Sequence, residues 1–80
     1  MKSQNLKIYY DIEEDILEIQ IGDATETYYD EVEPDLYEGH DEKTDELKGY
    51  KIFNFKKRGG MKNINIQLPA NVNIVSSSKD

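Results

Sequence analysis

His40 is the only histidine and the chain has no cysteine, so a nucleophilic mechanism would have to pair that imidazole with a serine. Such a dyad or triad needs the hydroxyl within hydrogen-bond reach of its base. The serines are Ser3 and Ser76 to Ser78, far from His40 in sequence. Next to Asp41, the imidazole is better placed to donate a hydrogen bond within a turn. Asp41, Glu42, Asp45 and Glu46 offer oxygen ligands of the kind calcium or magnesium takes. The twelve-residue loop with a central Gly and a closing Glu is absent, so a solvated acidic turn, with weak adventitious cation binding as the alternative, is expected. Paired carboxylates also serve glycoside hydrolysis, but that chemistry needs a walled groove, which 80 residues without Trp supply poorly. The residues therefore point to a protein that is not an enzyme, with no cofactor and no metal site.

Charge distribution is the stronger signal. Ten acidic residues and one basic residue, Lys43, lie between Glu26 and Glu46, whereas six basic residues and no acidic one lie between Leu47 and Lys62. One expectation is that the two signs pair across neighbouring strands, where an exposed pair contributes ~0–1 kcal/mol. The other is that Glu26, Asp30, Glu31, Glu33, Asp35, Glu38, Asp41 and Glu42 face a basic protein, complementarity mainly speeding encounter and selecting the partner. Lys51, Lys56, Lys57, Arg58 and Lys62, interleaved with Phe53 and Phe55, raise nucleic-acid binding through residues 48–62 as an alternative. A formal net charge of -7 opposes it.

The elements that would carry these residues are short and close together. Leu6, Ile8 and Tyr10 alternate with Lys7 and Tyr9, and Leu17, Ile19 and Ile21 alternate with Glu18 and Gln20, both with the period of two that marks half-buried strands. Thr25 to Val32, Leu36 to His40 and Lys48 to Phe55 are further strands, with an irregular crossing at Glu33 to Asp35, where Pro34 lacks a donor. Short helices over Asp11 to Ile16 or Asp41 to Leu47 are alternatives. After the connector Lys56 to Gly60, the residues from Ile64 to Ile74 alternate as one interrupted strand or two short ones. Connections this short favour antiparallel pairing, because parallel strands need crossovers of about a dozen residues.

Tyr10, Asp11, Asp15, Ile16 and Leu17, followed by Thr25 to Val32, the turn Asp41 to Glu46, and Gly49, Tyr50, Lys51 and Ile52, resemble a small prokaryotic family catalogued as domain of unknown function 2283. The resemblance spans Leu6 to Phe55; the acidic turn is longer here than in the family pattern and the tail after Gly60 lies outside it. It implies a small antiparallel sheet and an accessory role in proteins of antitoxin size, some beside small toxin-like genes. It supplies no catalytic residue.

The expected architecture is an all-β, small antiparallel sheet, a meander of about five strands in a single domain over residues 1–80, with 1–5 and 76–80 frayed. Leu6, Ile8, Leu17, Ile19, Ile21, Ile52, Ile64 and Ile66 are the expected core face. Tyr9, Tyr29, Phe53 and Phe55 are expected to share the opposite face as a self-association surface, covered by a second copy, by the strand from Ile64 to Ile74 or by a partner. So small a core, with no disulfide to reinforce it, favours a homo-oligomer, a dimer first. The expected function is that of a non-enzymatic, antitoxin-like accessory protein whose acidic segment masks a basic partner such as a small toxin. A self-associating structural protein without a ligand is a further alternative. Met1 to Tyr10 lacks a signal-peptide core and no segment is long and apolar enough to span a membrane, so a cytoplasmic location without membrane partners is expected.

Overall fold

The computed structural model describes residues 4–68 throughout and the backbone of residues 72–76. Six strands follow one another: β1 (Gln4–Asp11), β2 (Ile16–Ile21), β3 (Thr27–Glu33), β4 (Leu36–Asp41), β5 (Leu47–Phe53) and β6 (Val72–Ser76). They form one sheet in the order β3-β4-β5-β2-β1-β6. The first five are antiparallel, a β1–β2 hairpin joined through β2–β5 to a β3–β4–β5 meander. No helix is found among the described residues, and hence none there is long and apolar enough to cross a membrane.

The register explains the core. Leu6, Ile8 and Tyr10 stand opposite Ile21, Ile19 and Leu17. Leu17 and Ile19 stand in turn opposite Ile52 and Tyr50, and Leu36 faces Ile52 from β4. Since alternate side chains point to one side of a strand, these residues make a single apolar face. Leu6, Ile19, Ile21, Leu36, Tyr50 and Ile52 are buried there, with Ile8, Leu17, Leu47, Phe55, Ile64 and Ile66 packed against them. Ile21 and Ile52 have no exposed surface, and such a burial contributes ~1.5–3 kcal/mol. Residues 64–68 lie over this face without forming a strand, held by the Tyr50 hydroxyl, which donates to the Gln67 carbonyl at 2.7 Å.

Further sequence expectations change. Gln4 and Asn5, expected to fray, belong to β1 and pair with Val72 and Asn73, and Ser76, expected to fray as well, ends β6 opposite Ile8; residues 1–3 and 77–80 lie outside the described residues. β6 runs parallel to β1, since the chain between β5 and β6 is long enough for the crossover that parallel pairing needs. Phe55 does not share a face with Phe53. The strand ends at Phe53, Asn54 turns with φ 54°, and the Phe55 amide donates to the Asp15 carbonyl at 3.0 Å. That bend sends the Phe55 ring to the core side, 5.7 Å from Tyr10.

Turns hold the strands in register. Pro34 fixes the first central position of the β3–β4 turn and Asp35 takes φ 69° at the second. Between Glu31 and Glu33 the pairing shifts by one residue, leaving Val32 unpaired and 49% exposed. In the β4–β5 turn, one carboxylate oxygen of Asp41 accepts the Lys43 and Thr44 amides at 2.7 and 2.9 Å, and Asp45 takes φ 65°.

Candidate functional site

β3 lies at one edge of the sheet with β4 as its only neighbour. Asp30, Glu31, Val32 and Glu33 are all exposed. Asp30 stands directly across from Glu38, and Glu31 from Tyr37. Like charges opposite one another destabilise an antiparallel pair. Across the next ladder Tyr37 faces Lys51, but Lys51 reaches Glu18 at 3.4 Å and lies 4.6 Å from the Tyr29 ring centroid. The ion pairs among the described residues are that one and His40–Glu38. None of the β3 carboxylates has a cation at ion-pairing distance there, so cross-strand pairing does not neutralise this edge.

The eight acidic candidates fall into two groups. Asp35, Glu38 and Asp41 serve the fold. Asp35 accepts the Asn54 side-chain amide at 3.2 Å, Glu38 holds His40 Nε2 at 2.9 Å, and Asp41 caps its turn. The Thr25 hydroxyl, with the Thr44 and Lys43 amides, holds the Asp41 carboxyl down at about 2. Glu31 accepts the Asp35 amide at 3.2 Å and remains exposed. Glu26, Asp30, Glu33 and Glu42 are exposed and accept no side-chain hydrogen bond among the described residues.

His40 borders this edge, with both ring nitrogens held by neighbouring acceptors. Its Nδ1 faces the Asp45 carbonyl at 3.1 Å and its Nε2 the Glu38 carboxylate, so both nitrogens meet acceptors. Only the imidazolium donates from both. The Glu38 carboxylate, then the Asp45 carbonyl, accordingly raise its pKa above the usual value. Tyr28 stacks on the ring with centroids 5.8 Å apart and donates to Asp45, which pushes the phenol up to about 12.

Residues 54–63 divide the basic cluster between backbone contacts and exposed side chains. The Lys56 and Lys57 amides donate to the Asp15 carboxylate at 2.8 and 3.4 Å, and Tyr10 donates to it at 2.6 Å. Those bonds, Tyr10 first, lower the Asp15 pKa. Arg58 spends its Nη1 on the Gly60 and Lys62 carbonyls, both at 2.9 Å, while Phe55 packs against the core. Lys56, Lys57 and Lys62 remain exposed. Asp15 was not among the candidates; its one sequence signal is an Asp five residues after Tyr10, across a turn.

Of the expected self-association residues, Tyr9, Tyr29 and Phe53 share the face opposite the core. The register puts Tyr9 on Glu18, Glu18 on Lys51 and Phe53 on Ile16. Tyr9 is 39% exposed, and Tyr37 joins this face 4.9 Å from Phe53. Phe55 stands on the other side. Among the described residues no group of three or more His, Cys, Asp or Glu is arranged to hold a metal ion. Comparison with protein-family models, with curated proteins and with solved structures gives no match.

Proposed function

We propose that the chain is a non-enzymatic, antitoxin-like accessory protein of the cytoplasm that binds a basic protein partner through the acidic β3 edge. The observation that carries this is the exposed row Asp30, Glu31 and Glu33, none of which has a cation at ion-pairing distance among the described residues, whereas Glu38 opposite Asp30 is paired with His40. An edge that leaves these carboxylates unpaired gains from an external cation what it lacks internally. The accessory role implied by the sequence resemblance agrees. A second copy covering the face of Tyr9, Tyr29 and Phe53 fits the same reading, because the aromatic rings there lack a covering layer among the described residues.

The test compares the wild-type chain with a variant carrying Asp30→Asn, Glu31→Gln, Glu33→Gln and Glu42→Gln; of these only Glu31 holds a turn through its side chain, by accepting the Asp35 amide, and Gln keeps an acceptor oxygen there. Both are used to capture proteins from the native lysate at moderate and high salt. A small basic protein held by the wild type, released by salt and missed by the folded variant is the expected result. Equal retention by the variant refutes the mechanism.

A further inference from the structure

We propose that the outer edge of β3 receives an added antiparallel strand from the basic partner, two consecutive Lys or Arg residues of which lie beside Glu31 and Asp30. This rests on the acidic-edge reading and specifies how the partner docks. A strand with one neighbour leaves every second set of backbone N–H and C=O groups pointing off the sheet, and an extended peptide can pair with them. From Thr27 to Glu31 the register against β4 is regular, with Asp41 to Tyr37 opposite. Beyond Glu31 the unpaired Val32 and the donorless Pro34 end the usable edge.

Side-chain alternation then fixes the chemistry of the incoming strand. Asp30 faces Glu38 on the side of the sheet that carries the core, and Glu31 faces Tyr37 on the other. A cation on one face of the added strand reaches only one of them, so adjacent cations are needed. Continuing antiparallel, the next two partner residues meet Tyr29 and Tyr28. Tyr29 lies flat over Gly39, whose added Cβ would be 2.6 Å from the ring, and Tyr28 is stacked on His40. Both positions suit β-branched or aromatic residues. Edge-to-edge pairing of two copies would instead bring the rows of Asp30, Glu31 and Glu33 together, so the charges select a cationic strand over a second copy of β3.

The probe is a synthetic peptide of about eight residues with Lys-Arg-Val-Tyr at its centre, long enough to cover the edge at ~3.4 Å per residue. Its twin carries N-methyl groups on alternate amides, which keep the charges and remove the outward donors. Affinities are measured by fluorescence anisotropy at low salt, with amide exchange as the second readout. The unmodified peptide should bind about tenfold or more tightly than its twin, because several backbone hydrogen bonds are lost together, and should slow exchange within Thr27 to Glu31. Equal affinity of the two overturns strand addition and leaves the acidic-edge reading standing. Failure of both to bind at low salt overturns both.

Discussion

Replacing Gly49 by Ala tests the junction on which the sheet depends. A Cβ there would lie 2.1 Å from the Ile19 carbonyl oxygen and 3.2 Å from its carbon. Ordinary carbon-to-oxygen approaches in sheets begin near ~3.3 Å, so the two backbones would have to separate by roughly 1 Å. β2–β5 is the pairing that joins the β1–β2 hairpin to the β3–β4–β5 meander. Separation there disturbs Ile19 and Tyr50, both buried, and cannot be absorbed by one side chain. Overpacking costs ~1–3 kcal/mol when side chains can yield and more when they cannot; a loss of about 3 kcal/mol or more is expected. For a domain of this size that lowers Tm by roughly 12–24 °C. Gly39 is the internal control: its added Cβ meets Tyr29 at 2.6 Å, but that atom belongs to a ring that can swing outward. Gly39→Ala should cost about 1 kcal/mol. Urea and thermal unfolding followed by circular dichroism measure both. A Gly49→Ala cost no larger than that of Gly39→Ala would refute the close approach and the register built on it.

Phe55→Ala should destabilise the chain by about 2–3 kcal/mol in urea unfolding, and Phe53→Ala by roughly half as much, since only Phe55 packs against the core; equal costs would return Phe55 to the open face. The lowered carboxyls of Asp41, at about 2, and Asp15 contribute stability that is complete above their ordinary value of 3.8 and is lost as pH falls through the folded values. The fall in Tm from pH 4 to pH 2 should therefore be shallower in Asp41→Asn. His40, raised, acts with the opposite sign: its contribution is complete below 6.5 and is lost as pH rises through the folded value, so His40→Gln should flatten that alkaline decline. Asp30→Asn should change the stability of the free protein by no more than about 0.5 kcal/mol, since Asp30 is exposed and Glu38 opposite it is paired with His40, while weakening capture of the partner.

The sequence makes β2 legible at both ends, Ile16–Ile21, because alternation continues unbroken between an acidic turn and Gly22-Asp23. The same periodicity misleads at Phe55. Phe53 and Phe55 keep the spacing of one strand face, and nothing local announces that Asn54 turns left-handed or that Asp15, forty residues earlier in the chain, receives the following amides. Ile64 and Ile66 are core residues as their alternation suggests, yet their backbone crosses the sheet instead of joining it, so burial was readable and pairing was not. The parallel β6 depends on how far that crossing segment travels, which no short window contains. Within the acidic run, composition alone marked the region. The separation of capping Asp41 and Asp35 from exposed Asp30 and Glu33 depends on which donors each turn presents, a property of the folded backbone.

Where a cationic chain settles on the sheet is read from the backbone amides of the protein. A short oligolysine is titrated into isotope-labelled protein at low and high salt, and backbone amide shifts are followed by nuclear magnetic resonance. The largest shifts are expected within β3 and the facing residues of β4, with Asp30 and Glu31 foremost, and should disappear at high salt. Shifts centred instead on the Asp41 to Glu46 turn or the Asp11 to Asp15 turn, with β3 unmoved, would contradict binding through the acidic β3 edge.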